Sequence, residues 1–173
     1  MEYIRIWDSY KRTTYMTVTG MITQIKPLYG YSENECSQLV VVEDETGGIT
    51  KFFVTHATYI ADATTMYEGM QAHFVYNADL PTPLIYPPQL TAVAVVSTVI
   101  ATFVKAAYFN HQLISTDNTL KLNMNEGVAV VTSNNQNYYG SPAGRYLLVM
   151  YENMTKSIPA QTTPDRIVVM CEW

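Results

Sequence analysis

Charged side chains are scarce in this 173-residue chain. Asp, Glu, Lys and Arg make up 14% of the residues, whereas ordinary globular domains contain about 25%. Fifteen acidic and ten basic residues leave a formal net charge of −5. A protein that binds nucleic acid without sequence preference needs a positively charged stripe to contact phosphates. The composition therefore disfavours non-specific nucleic-acid binding as the function of this chain.

The sequence also lacks the motifs of the common enzyme chemistries. It contains no P-loop, no GxGxxG, no HExxH, no CxxC and no GxSxG. The histidines His56, His73 and His111 show no metal-ligand spacing, and the three consecutive acids at 43–45 are typical of a solvated turn. Because catalysis needs paired groups in perturbed environments, we predict a protein that is not an enzyme and that uses no cofactor and no metal.

Cysteine and targeting signals are equally sparse. Two cysteines, Cys36 and Cys171, are too few for a disulfide framework, although a single bridge between them is possible. The first residues carry charges at Glu2, Arg5 and Asp8 and show no apolar core of a secretory signal. We therefore expect a cytoplasmic protein.

The longest uncharged stretch, residues 80–104, resembles a membrane span by its length. Four prolines occupy its first third, and Val, Ala and Thr, which favour strands, dominate the remainder. We interpret it as a proline loop followed by two consecutive strands, and we predict no membrane partner.

The second half of the chain looks like a shortened copy of the first. Residues 69–77 read GMQAHFVYN and residues 144–152 read GRYLLVMYE, so that Gly69 matches Gly144 and Tyr76 matches Tyr151. A loop with prolines and then a β-branched run follow in both places. Such self-similarity at a long period indicates two related modules, which we place at residues 1–98 and 99–173.

The first module shows strand and hairpin signals. Residues 14–28 alternate apolar and polar side chains around Gly20, where a strand could bend. Residues 38–56 read as a hairpin with a turn at residues 44–48. Residues 61–69 could form a short helix with Asp62 as its N-cap and Gly69 just past its end. Two more strands are predicted, at 70–77 and 91–96.

This order resembles that of OB-fold proteins, whose second and third strands are commonly joined by an Asp-x-Thr-Gly turn like that of Asp44, Thr46 and Gly47. The resemblance covers about residues 14–96. It implies an all-β protein with two OB-like Greek-key β-barrel modules in tandem. The second module has only an Asn/Gly/Pro loop at 134–144 where the first has its helix. It also has a predicted hairpin at 120–133, and we expect it to need the first module in order to fold.

Binding is the remaining class of function, and two versions compete. Low charge, fourteen tyrosines and an incomplete second barrel favour recognition or assembly with a protein partner, self-association included, or recognition of a glycan surface.

The alternative is single-stranded nucleic-acid binding through the first barrel, as the OB resemblance implies. Lys26 and Lys51 would then meet phosphates, although a competing interpretation packs Tyr86 on the prolines and Phe53 on a neighbouring module. The candidate ligand-binding residues are Tyr29, Tyr31, Lys51, Phe53 and Tyr86.

Overall fold

The computed structural model describes residues 11–28 and 35–171, and within these ranges the protein is nearly all β and has no α-helix. The all-β prediction is therefore confirmed. The strands are β1 (Tyr15–Pro27), β2 (Gln38–Glu43), β3 (Ile49–Val54), β4 (Tyr59–Ile60), β5 (Gln71–Asn77), β6 (Gln89–Ser97), β7 (Phe103–Phe109), β8 (Leu120–Leu122), β9 (Ala129–Val131), β10 (Arg145–Tyr151), β11 (Ala160–Thr162) and β12 (Arg166–Val169).

The first half forms one six-stranded sheet, in the order β3-β2-β1-β5-β6-β4. The long β1 pairs antiparallel with β5 over its first part and with β2 over its second. It changes partner next to Gly20, where an added Cβ would lie 2.4 Å from the carbonyl oxygen of Glu43. The glycine expected at a bend of the first strand is therefore required by this close approach of two backbones. In addition, β3 pairs in parallel with β6.

The hairpin predicted over residues 38–56 is confirmed as β2 and β3. Asp44 closes its turn, because one carboxylate oxygen accepts hydrogen bonds from the backbone N–H groups of Thr46 (2.9 Å) and Gly48 (2.8 Å). Gly47 has φ +83°, a conformation that glycine adopts without steric cost. The turn thus sets the register in which Gln38 lies opposite Val54.

The helix predicted over residues 61–69 is absent, and a single 3₁₀ turn at Ala61–Ala63 takes its place. Asp62 does not cap a helix: it has φ 56° and its carboxylate binds Arg166 of β12, with the shorter contact at 2.7 Å. Thr64 closes the turn on the carbonyl of Ala61. Tertiary contacts thus override a local preference that was too short to stand alone. The expected difference between the halves, a helix in the first and only a loop in the second, is therefore not observed.

The second half contains a four-stranded sheet, β7-β10-β12-β9, and a two-stranded sheet, β11-β8. The strands in the described part of the chain are thus distributed over three sheets rather than two complete barrels. The hairpin predicted over residues 120–133 is wrong, because β8 pairs in parallel with β11 and β9 pairs in parallel with β12. Both β8 and β9 pair with strands that are distant in sequence, and no local sequence pattern predicts such pairing.

Side chains from both halves share one core cluster. It combines Val75 and Val96 from the first half with Leu148 and Val168 from the second, all buried. The buried His73 also joins the halves, since its Nε2 lies 2.9 Å from the carbonyl oxygen of Ala101. The predicted boundary at 98/99 falls in the short connection between β6 and β7.

Candidate functional site

The outer face of β1, β2 and β3 carries two basic side chains and one aromatic side chain. Strand pairing aligns Lys26 with Leu39, Leu39 with Phe53, and Phe53 with Thr91 of β6. Directly paired residues of a sheet point to the same face. Lys26 and Phe53 therefore lie on one surface.

Alternation along β3 explains why Lys51 joins this surface. Phe52 and Val54 are buried in the core of the first half, whereas Lys51 and Phe53 are partly exposed. Lys51 also lies in register with Gln89 of β6. Neither Lys26 nor Lys51 forms an ion pair within residues 11–28 and 35–171.

The loop of residues 78–88, which we call the proline loop, joins β5 to β6 beside this face. One end is anchored by Asp79, whose carboxylate accepts the backbone N–H of Thr14 at 2.8 Å. That hydrogen bond, with a weaker contribution from Lys11, holds the pKa of Asp79 below its ordinary value. The other end is anchored where Pro88 accepts the backbone N–H of Lys51 at 2.9 Å.

The proline loop exposes an unusual amount of apolar surface. Leu84 is fully exposed, Tyr86 is 81% exposed, and about half of each of Leu80 and Ile85 is exposed. Single exposed apolar residues are ordinary on protein surfaces, but contiguous ones mark interaction sites. Four apolar or aromatic side chains in one short loop therefore form the most distinctive surface in the described part of the chain.

A small cavity connects the proline loop with the outer face of β3. It has a volume of about 180 Å³, and Phe53, Tyr76, Pro81, Pro83 and Leu90 contribute to its walls. Phe53 thus lines a cavity together with residues of the proline loop of its own half. Tyr86 is largely exposed and is not packed into this cavity.

The structure places two of the five predicted site residues on one face, and a third in the loop beside it. Lys51 and Phe53 share one face, and Tyr86 belongs to the loop whose Pro88 is bonded to the Lys51 backbone. Tyr29 and Tyr31 lie outside the described residues. The sequence interpretation missed Leu84 and Ile85. A usable signal was their position between prolines, where neither helix nor strand can form to bury them.

Other kinds of site find little support in the described ranges. Residues 11–28 and 35–171 contain no group of three or more His, Cys, Asp or Glu side chains arranged to hold a metal ion. They also contain no helix with the length and apolarity that a membrane crossing requires. Cys36 and Cys171 are both exposed and unbridged.

No protein-family model matches this chain, and no curated protein is significantly similar to it in sequence.

Proposed function

We propose that this protein is a non-enzymatic binding module that recognises another protein surface through the proline loop. The observation that carries the proposal is the exposure of Leu84, Ile85 and Tyr86 in one anchored loop. A glycan ligand would require polar groups around an aromatic platform, whereas this loop offers aliphatic side chains. The apolar loop therefore favours a protein partner, either a second copy or a different chain.

Energetics support binding through this loop. Full burial of a leucine or isoleucine side chain contributes about 1.5–3 kcal/mol. Four prolines restrict the backbone of the loop before binding, so that less conformational entropy is lost on association. The two anchors at Asp79 and Pro88 limit it further. A preordered apolar loop of this kind can act as the centre of an interface.

We also infer an OB-like origin for both halves. In the first half β1 pairs with β5, β5 with β6, and β6 in parallel with β3. In the second half β7 pairs with β10, β10 with β12, and β12 in parallel with β9. The order and sense of these pairings agree with the sequence repeat and with OB-like topology. Barrels of this kind present their loops and outer faces to ligands.

Site-specific crosslinking in the native host tests the function. A photoreactive benzoylphenylalanine replaces Leu84, and in a matched control it replaces Ile158, which is 88% exposed in a loop of the second half. We expect a discrete adduct from position 84 alone, and its loss when Ile85→Ser is added. The mass of the adduct distinguishes a second copy from another protein. Equal adducts from both positions, or none from position 84, contradict the proposal.

Single-stranded nucleic-acid binding remains the second candidate, because Lys26, Lys51 and Phe53 share one face. Fluorescence anisotropy with labelled oligo-dT at two salt concentrations decides it. Under the protein-binding proposal we expect negligible affinity near physiological salt. Affinity that falls steeply with salt and is weakened by about 1–3 kcal/mol in Phe53→Ala or Tyr86→Ala, but not in the exposed control Tyr139→Ala, would establish the alternative.

A further inference from the structure

The proline loop presents a projecting side chain and an open cavity side by side. Leu84 is fully exposed. The cavity between the loop and β3, which we call the loop cavity, begins one residue earlier in the chain, because Pro83 forms part of its wall. A protrusion and a depression therefore lie next to each other on one surface.

The loop cavity has the size and the lining that an aliphatic side chain requires. Its volume is about 180 Å³, whereas a dry cavity of about 150 Å³ lined by apolar side chains already binds benzene. The isobutyl group of a leucine is smaller than a benzene ring, so it fits this volume. The apolar and aromatic wall residues are Phe53, Tyr76, Leu80, Pro81, Pro83 and Leu90.

The loop cavity is accessible from outside the molecule. Leu80 on its wall is 56% exposed, and Phe53 and Tyr76 are both partly exposed. Thr91, which pairs with Phe53 in the sheet, is exposed at the same place. Leu84 of the same molecule does not fill the cavity, since that side chain is fully exposed. A side chain from another molecule can therefore enter it.

Charge favours one kind of partner for this surface. The chain has a formal net charge of −5, so two copies repel each other wherever their acidic residues meet. Residues 80–89 contain no charged residue, and the described residues that line the loop cavity are all uncharged. The acidic residue just before the loop's prolines, Asp79, is paired with Lys11 at 3.4 Å. Two acidic copies can thus approach at the proline loop without acidic groups of the loop opposing each other.

Twofold symmetry would fill the protrusion and the depression with one contact. In a twofold dimer the same patch of both subunits forms the interface, so a contact from the first copy to the second is repeated from the second to the first. Leu84 of each copy would then enter the loop cavity of the other. A different protein would have to supply both a pocket for Leu84 and a side chain for the cavity, whereas a second copy supplies both.

We propose that the partner of the proline loop is a second copy of this chain, and that Leu84 of each copy inserts into the loop cavity of the other. This inference rests on the proposed function and names its partner. The exposed parts of Leu80, Leu84, Ile85 and Tyr86 offer about 400 Å² per copy. The total of about 800 Å² is below that of standard interfaces, so we expect a weak, reversible dimer.

Sedimentation velocity of the purified full chain tests the dimer over concentrations from about 10 µM to 1 mM. We expect a shift from monomer to dimer and no larger species. Leu84→Asp would place a carboxylate in each apolar cavity, and it should raise the dissociation constant of the dimer at least about 100-fold. The matched control is Ile158→Asp, at a position 88% exposed in a loop of the second half, and it should dimerise like the native chain.

A mixing experiment tests where Leu84 is seated. Thr91→Trp fills the loop cavity from an exposed strand position beside Phe53 and should also prevent dimerisation. Leu84→Asp keeps an open cavity, and Thr91→Trp keeps Leu84. A mixture of the two variants should therefore form a heterodimer through the one remaining contact, at concentrations where each variant alone is monomeric. A misfolded variant would not restore association in this way.

Three results would overturn the proposal. A monomer at every concentration excludes the second copy; an adduct of position 84 with a different protein would then leave the proposed function in place, whereas no adduct would remove both. Dimers that persist in Leu84→Asp, or a mixture of variants that does not associate, would show that Leu84 does not enter the loop cavity. Species that grow beyond a dimer would show a head-to-tail contact instead of twofold pairing.

Discussion

Replacement of Gly20 by alanine probes the closest approach of two strands in the first half. The added methyl carbon would lie 2.4 Å from the carbonyl oxygen and 2.8 Å from the carbonyl carbon of Glu43. Both are backbone atoms of β2 and cannot rotate aside. The buried Cγ1 of Val42, at 2.9 Å, closes the remaining space. To accept the methyl group, β1 and β2 must therefore move apart.

The magnitude follows from this geometry. Overpacking of a well-packed core costs about 1–3 kcal/mol. Because the obstructing atoms are backbone, we expect Gly20→Ala to fall at the upper end of that range. In a chain of this length, each kilocalorie lowers the melting temperature by about 2–4 °C.

Urea unfolding followed by far-UV circular dichroism measures the effect. Gly127→Ala is the matched control, since its added Cβ would meet only the Asn125 side-chain oxygen at 3.2 Å. The control should change the free energy of unfolding by less than about 0.5 kcal/mol. If Gly20→Ala proves as stable as Gly127→Ala, the inferred close approach of β1 and β2 at Gly20 is refuted.

Three further predictions follow from the junction of the halves. A fragment of residues 101–173 should give a poorly dispersed NMR spectrum, because it exposes core residues that pack on the first half; a cooperative, dispersed fragment would contradict this. Leu148→Ala, at a fully buried position, should cost about 2–5 kcal/mol in urea unfolding, and a loss below 1 kcal/mol would show that the shared core is loose. Burial lowers the pKa of His73 below its ordinary value, so the unfolded state binds more protons just below pH 6.5. Stability should therefore fall as the pH decreases from about 6.5, and His73→Gln, followed by thermal melts across that range, should lack this component.

The neutral form of His73 explains that pH dependence in structural terms. Its Nε2–H donates to the carbonyl of Ala101, and Nδ1 accepts the Thr19 hydroxyl at 2.7 Å. Both bonds are satisfied by one neutral tautomer. Protonation would place a second N–H on the ring at Nδ1, so the Thr19 hydroxyl would have to accept this hydrogen bond instead of donating it.

Local sequence was sufficient where neighbours in the chain are also neighbours in space. The hairpin of β2 and β3 depends on the turn at Asp44 and Gly47 and on alternating side chains, all within one segment. The same alternation places Lys51 and Phe53 on the face opposite Phe52. The strands at β5 and β6 were recognisable for the same reason, since β-branched runs bounded by turn residues determine them locally.

Tertiary contacts decided what local preference left open. Asp62 looked like a helix cap, yet Arg166, more than a hundred residues away, takes its carboxylate. Residues 120–133 looked like a hairpin, yet β8 and β9 pair with β11 and β12 in parallel. Parallel pairing joins segments that are distant in the chain, so the local sequence of either strand does not indicate its partner.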